Sequence, residues 1–136
     1  MTDLKAKTAL VTGSTSGIDR ATATALAARG AHALVVGRDE QRAKDAVAEI
    51  EGSGGNATFR ITTLRDLKSA QDLVEWATEA SDGHVEILIQ RWRRLSRTSM
   101  AATDAEFDET FALNVKVPLS CRPARGARFR DRVPCQ

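Results

Sequence analysis

Thr12-Gly13-Ser14-Thr15-Ser16-Gly17-Ile18 decides how this chain is read. The stretch separates residues 7–12, which read as a short buried strand around Ala9-Leu10-Val11, from a helical pattern at 17–29. Gly13 allows a tight turn, and Gly17 lets a ligand approach the backbone closely where the helix begins. Backbone N–H groups and the positive end of the helix would together stabilise a pyrophosphate. Two glycines alone would also suit a plain strand–helix turn. Their placement between strand and helix makes the phosphate-binding reading the stronger one.

The same alternation continues outward. In the first helix Ile18, Ala21, Ala25 and Leu26 fall near one face, while Ala23, Ala27 and Ala28 favour helix and leave room for close packing on a sheet. Gly30 is a plausible stop. A second strand is expected at 32–36, a second helix at 39–51, and a third strand at 57–61 after the breaker Gly52-Ser53-Gly54-Gly55. Asp66 can cap a third helix whose apolar face holds Leu67, Ala70, Leu73, Val74 and Ala77. Residues 85–89, apolar apart from Glu86, then form a fourth strand. This βαβαβαβ order predicts an α/β fold, a parallel sheet flanked by helices on both faces. A further helical pattern appears at 103–117, with Asp104 as its expected cap and Pro118 as its stop. Residues 121–136 are basic and aperiodic, so a domain at 1–120 followed by an irregular tail is expected.

Thr12-Gly13-x-x-x-Gly17 resembles the Thr-Gly-x-x-x-Gly-x-Gly motif of the short-chain dehydrogenase/reductase family, with Asp19 in place of the last glycine. Ala25-Leu26-x-x-x-Gly30-Ala31 and Phe107-Asp108-Glu109-Thr110-Phe111-Ala112-Leu113-Asn114-Val115 are similar to that family too. The resemblance covers roughly residues 4–120, with a weaker match at 90–102. It implies an incomplete Rossmann-like sheet that binds a nicotinamide dinucleotide through Thr12, Gly13, Ser14, Thr15, Ser16, Gly17 and Ile18.

Arg38 follows the second strand, where an arginine can contact a ribose 2′-phosphate, so NADP(H) is favoured. Asp39 keeps NAD(H) possible if its carboxylate faces the ribose. Thr63 stands where the family commonly has an acidic residue beside adenine, and spacing alone leaves open whether Asp66 reaches back to that place. Asp19 puts a side chain where close cofactor approach is usual. Its charge would oppose the cofactor phosphates, although an acid in a first helical turn is otherwise favourable.

The catalytic half of the resemblance is incomplete. Asn114 matches the family's helix-borne asparagine, which supports a proton relay. The family's tyrosine, with a lysine four positions on, is absent from these 136 residues, because the sequence contains no tyrosine. Lys116 and Ser120 have no matching context. Where the family's fourth strand ends in Asn-Asn-Ala-Gly, this chain has Gln90-Arg91-Trp92-Arg93. Those residues can be encoded CAA CGC TGG CGN, which read from the second base gives AAC GCT GGC, or Asn-Ala-Gly. A displaced reading frame over this stretch is therefore expected, and a CAG codon at Gln90 would defeat that reconstruction. The resemblance then implies a truncated or frame-disrupted relative of an oxidoreductase that moves hydride between nicotinamide and a small carbonyl or alcohol substrate. The alternative is a noncatalytic dinucleotide- or protein-binding module.

Composition narrows the remaining classes. Residues 1–89 carry 10 Lys/Arg against 13 Asp/Glu, and residues 90–136 carry 10 against 5. The basic excess lies in two arginine-rich stretches without a base-reading motif or interleaved aromatics, which argues against nucleic acid as the partner. Cys121 and Cys135 make no metal-ligand spacing, and His32 and His84 make no metal motif. No apolar run is long enough for a membrane span. A cytoplasmic setting is expected.

Overall fold

Short apolar strands alternate with helices throughout the described part of the chain. The computed structural model describes residues 3–90, 103–105 and 108. Its elements run β1 (Thr8–Thr12), α1 (Gly17–Ala28), β2 (His32–Gly37), α2 (Glu40–Gly52), β3 (Asn56–Ile61), α3 (Leu67–Ala80) and β4 (Ile87–Ile89). The strands form one parallel sheet in the order β3-β2-β1-β4. This is the expected incomplete Rossmann-like architecture. Of the anticipated 103–117 helix, residues 104, 105 and 108 are helical and Thr103 is not; its other residues lie outside the described ones, as do Asn114 and the tail at 121–136.

The strand pleat sorts the core into two layers. Val11, Ala33, Val35 and Ala57 face one side and meet Ala23 and Ala27 of α1 with Ala46 and Ile50 of α2. Leu10, Leu34 and Val36 face the other side and meet Leu73 and Ala77 of α3. All five residues of β1 are buried, because helices cover it on both faces. Complete burial of each large aliphatic, such as Leu34, Ile50 or Leu73, stabilises the fold by about 1.5–3 kcal/mol.

Two helical faces differ from the sequence expectation. The buried stripe of α1 is Asp19, Ala23 and Ala27, spaced by four. Ala21 and Ala25 are exposed, and Ile18 is 72% exposed. Ala23 and Ala27 let the helix sit close to the sheet, and the larger Ile18 is left at the rim. In α3 the buried residues are Ala70, Leu73 and Ala77, whereas Leu67 lies at the helix start and is exposed.

Helix starts follow local chemistry. Asp39 accepts a hydrogen bond from the Arg42 amide at the start of α2. Asp66 accepts from the Ser69 amide, and the Ser69 hydroxyl accepts from the Asp66 amide, closing a capping box on α3. At α1 the N-cap residue Ser16 supplies no side-chain hydrogen bond. Among the described residues no helix is long and apolar enough to cross a membrane.

Candidate functional site

The sheet order places a crevice at the C-terminal end of β1. From β1 the chain crosses to β2 and β3 on one side, and β4 joins on the other. Neighbouring loops diverge at such a reversal, and ligands of open α/β sheets bind there. The 12–18 stretch occupies this position.

Burial divides the stretch into two sets. Gly13, Ser16, Gly17 and Ile18 are exposed, whereas Thr12, Ser14 and Thr15 are buried. Gly13 and Gly17 have φ of 69° and 61°, in the left-handed region that glycine adopts without strain. Ser14 is completely buried. Its hydroxyl donates to the Val11 carbonyl at 2.6 Å and accepts from the Val36 amide at 3.0 Å. The Ser14 amide in turn donates to the Val36 carbonyl at 3.0 Å. Thr15 packs on Gly37, where an added Cβ would lie 2.2 Å from Thr15 Cγ2. Ser14 and Thr15 therefore clamp the loop to the end of β2, and the exposed set is held at the crevice mouth. Sequence reasoning missed the role of Gly37; its only signal was a glycine ending an apolar strand.

Arg38 lies just beyond that clamp and is exposed. Among the described residues it makes no ion pair. The Asp39 carboxylate is engaged by the Arg42 amide and lies 3.6 Å from the Arg42 guanidinium. It is committed to α2. Thr62 donates its amide to the Gly37 carbonyl at 2.9 Å, which brings the chain after β3 alongside the end of β2. Thr63 follows and is exposed. Asp66 does not reach back: its carboxylate is held at the start of α3, and the Ser69 amide and hydroxyl keep its pKa below the ordinary value.

Asp19 occupies the inner side of the first turn of α1 and is 5% exposed. One carboxylate oxygen lies 3.5 Å from the position a Cβ on Gly13 would take. The acid therefore lies close to the glycine turn, on the buried face of its helix. On the far side of β1, Ile89 pairs with Val11, so Gln90 emerges level with Thr12. Its Nε2 is buried without a hydrogen-bond partner. His32 and His84 lie away from this edge. His32 Nε2 is 2.9 Å from Thr58 Oγ1, and burial lowers its pKa; His84 Nδ1 is 3.3 Å from the Asp82 carbonyl. No cluster of three potential metal ligands occurs among the described residues.

This donor set suits a phosphate-bearing ligand: a glycine turn with positive φ at a helix start, an exposed Arg38 just after β2 and the Gln90 amide just after β4 lie at the C-terminal ends of neighbouring strands.

Comparison with known proteins agrees with this geometry. Residues 7–125 match the family model described as short chain dehydrogenase. The chain is 38% identical over 92 residues to a 7alpha-hydroxysteroid dehydrogenase of Clostridium sardiniense, covering 68% of this chain and 35% of that protein. It is 34% identical over 114 residues to the human dehydrogenase/reductase SDR family member 4, covering 82% and 41% respectively. Among solved structures, a 3-oxoacyl (acyl-carrier-protein) reductase from Agrobacterium tumefaciens with NADP bound superposes with a TM-score of 0.80 at 30% identity, over 87% of this chain and 45% of that one. A short chain dehydrogenase from Burkholderia cenocepacia in complex with NADP gives a TM-score of 0.77 at 30% identity, over 88% and 49%. The chain thus spans less than half the length of each of these proteins.

Proposed function

Because the chain belongs to the short-chain dehydrogenase family, we propose that it carries the dinucleotide-binding half of an NADP(H)-dependent oxidoreductase site. The carrying observation is the clamped loop with its exposed Gly13, Ser16, Gly17 and Ile18, flanked by Arg38. The NADP-bound relatives support the choice of ligand. Backbone N–H groups at the start of α1 hold the pyrophosphate, and Ser14 and Thr15 keep them in place from beneath. Thr12 closes β1 behind the loop. Arg38 takes the 2′-phosphate with its planar donor fork. Capping of α2 by Asp39 removes the acid that a ribose 2′-hydroxyl would need, which favours NADP(H) over NAD(H). Thr63 lies on the adenine side.

The bound cofactor supplies or accepts the hydride, with a small carbonyl or alcohol as the other reactant. This chain's described residues bind and orient. Asn114 is the matched support residue for proton transfer and lies outside the described residues. With no tyrosine in the 136 residues, the family's proton donor is not among them, and a polypeptide restricted to them binds without turnover. A second reading, a noncatalytic dinucleotide- or protein-binding module, rests on the same exposed loop.

Titration of the chain with NADP+ and NAD+ tests the proposal. Saturable binding with NADP+ preferred is expected, and Arg38→Ala should weaken NADP+ by about tenfold or more, the scale of a lost charge-assisted hydrogen bond. No saturable binding, or an unchanged preference in the variant, would overturn it. Turnover by the isolated chain would overturn the noncatalytic reading.

A further inference from the structure

α1 begins without a side-chain cap of its own. Asp39 and Asp66 bond the first turns of α2 and α3, whereas Ser16 makes no such bond at the start of α1. Large apolar side chains do not fix that end either. The buried residues of α1 are Asp19, Ala23 and Ala27, and Ile18 is exposed. Glu49 of α2 reaches the first turn instead. The Arg20 guanidinium donates from both Nε and Nη2 to one Glu49 carboxylate oxygen, the Nε contact being 3.1 Å. The pairs Lys44–Glu40 and Lys68–Asp72 each join residues four apart on one helix, whereas Arg20 and Glu49 are 29 positions apart and join two helices. Farther along α1 the two helices meet again at Gly55. An added Cβ there would lie 2.8 Å from Ile50 Cγ2 and 3.1 Å from Ala27 Cβ. α1 is thus held to α2 at two places, by close packing near its end and by an ion pair near its start.

We propose that Arg20 and Glu49 are positioning residues for the dinucleotide: their ion pair sets the tilt of α1, and with it the direction of the amides that face the pyrophosphate. The inference rests on the nucleotide-binding reading above. Two attachments define the axis of a rigid helix, whereas one leaves a pivot. Without the Arg20–Glu49 strut α1 turns about its packed end, and its first turn is displaced most. Amides at a helix start hold an anion together only while they converge on it. Glu49 lies about 13 Å along α2 from the helix start, at a rise of about 1.5 Å per residue. Its effect on the ligand therefore runs through Arg20. The two side chains are 30% and 48% exposed, so the pair favours one tilt only modestly. A ligand that needs that tilt loses affinity in proportion to the population that leaves it.

Titration of the full chain with NADP+ and NAD+, well below its melting temperature, tests the pair. Glu49→Gln and Arg20→Met should each weaken binding by about two- to fivefold, the range of an exposed ion pair. The loss should be the same for both dinucleotides, because the pyrophosphate is common to them and the 2′-phosphate is not. The double variant should be no weaker than Arg20→Met alone, because the second change removes a contact already lost. Glu49→Gln separates the strut from a direct charge effect. It frees the guanidinium, so tighter NADP+ binding in this variant would mean that Arg20 acts on the ligand by its own charge, and would overturn the proposal. A lowered melting temperature with unchanged affinity in both single variants would reduce the pair to fold stabilisation, and would also overturn it. So would a loss confined to NADP+. Each of these results leaves the nucleotide-binding reading intact, whereas failure of the wild type to bind either dinucleotide would overturn both readings together.

Discussion

Ser14 and Val36 are joined by two hydrogen bonds of opposite direction: the Ser14 amide donates to the Val36 carbonyl, and the Val36 amide donates to the Ser14 hydroxyl, each at 3.0 Å. The pair fixes the distance between the glycine turn and the end of β2. A parallel strand pair ends in diverging loops, so backbone pairing alone would not hold the turn there. One short hydroxyl side chain extends the ladder past Thr12. Its remaining hydrogen returns to the Val11 carbonyl, so the hydroxyl is used both as donor and as acceptor.

Ser14→Ala should therefore destabilise the chain by about 1–3 kcal/mol, because the buried Val36 amide loses its partner and the hydroxyl leaves no room for water. Urea unfolding of wild type and variant measures the difference. NADP+ affinity should fall with it, since the exposed half of the loop is no longer held in register. A change in stability below about 0.5 kcal/mol, typical of an unremarkable surface site, would mean that the clamp contributes little.

Acid should weaken the start of α3 through Asp66. Its folded pKa lies below the ordinary 3.8, mainly from the Ser69 amide and then from the Ser69 hydroxyl. A lowered carboxylate pKa means that the unfolded state takes up protons first as pH falls. The contribution is thus present above pH 3.8 and is lost as pH drops through the lower folded value. Asp66→Asn should flatten this acid limb of the stability–pH curve while leaving the region near pH 7 with a similar slope. His32 acts in the same direction at higher pH: burial lowers its pKa from 6.5, so its neutral form is favoured and stability declines as pH falls from that value. Identical acid limbs for wild type and Asp66→Asn would rule out the capping box as their source.

The order of strands and helices was legible because apolar runs bounded by Gly52-Ser53-Gly54-Gly55 and by Asp82-Gly83 leave few other foldings. Which side of α1 faces the sheet was not. Alanine is ambiguous at every position, and Ile18 drew the expected apolar face toward itself although the helix buries 19, 23 and 27. The glycine turn was legible as a candidate site from Gly13 and Gly17. The division of labour within it was not, because Ser14, Thr15 and Ser16 differ little in chemistry and separate only once β2 is beside them. Gly37 is the same kind of case: its need to be small comes from Thr15, which is remote in sequence. Asp66 allowed two readings, as cap or as ligand contact, whereas Asp39 was read only as a possible ribose contact; hydrogen bonds from the Arg42 and Ser69 amides make both of them caps.

Asp19 sets the last prediction, because its carboxylate approaches the turn that the ligand's phosphates would face. The side chain is buried, and one oxygen lies 3.5 Å from where a Gly13 Cβ would stand. An acidic side chain at the helix start works against the attraction of the positive helix end for a pyrophosphate. Asp19→Gly, which restores the family's glycine, should tighten NADP+ severalfold. The same change costs helix stability, since glycine is up to about 1 kcal/mol less favourable than alanine in a helix. Asp19→Asn separates the two effects: it keeps the shape and removes the charge, so it should also tighten NADP+ without the backbone penalty. Unchanged NADP+ affinity in both variants would show that the Asp19 side chain does not act on the ligand.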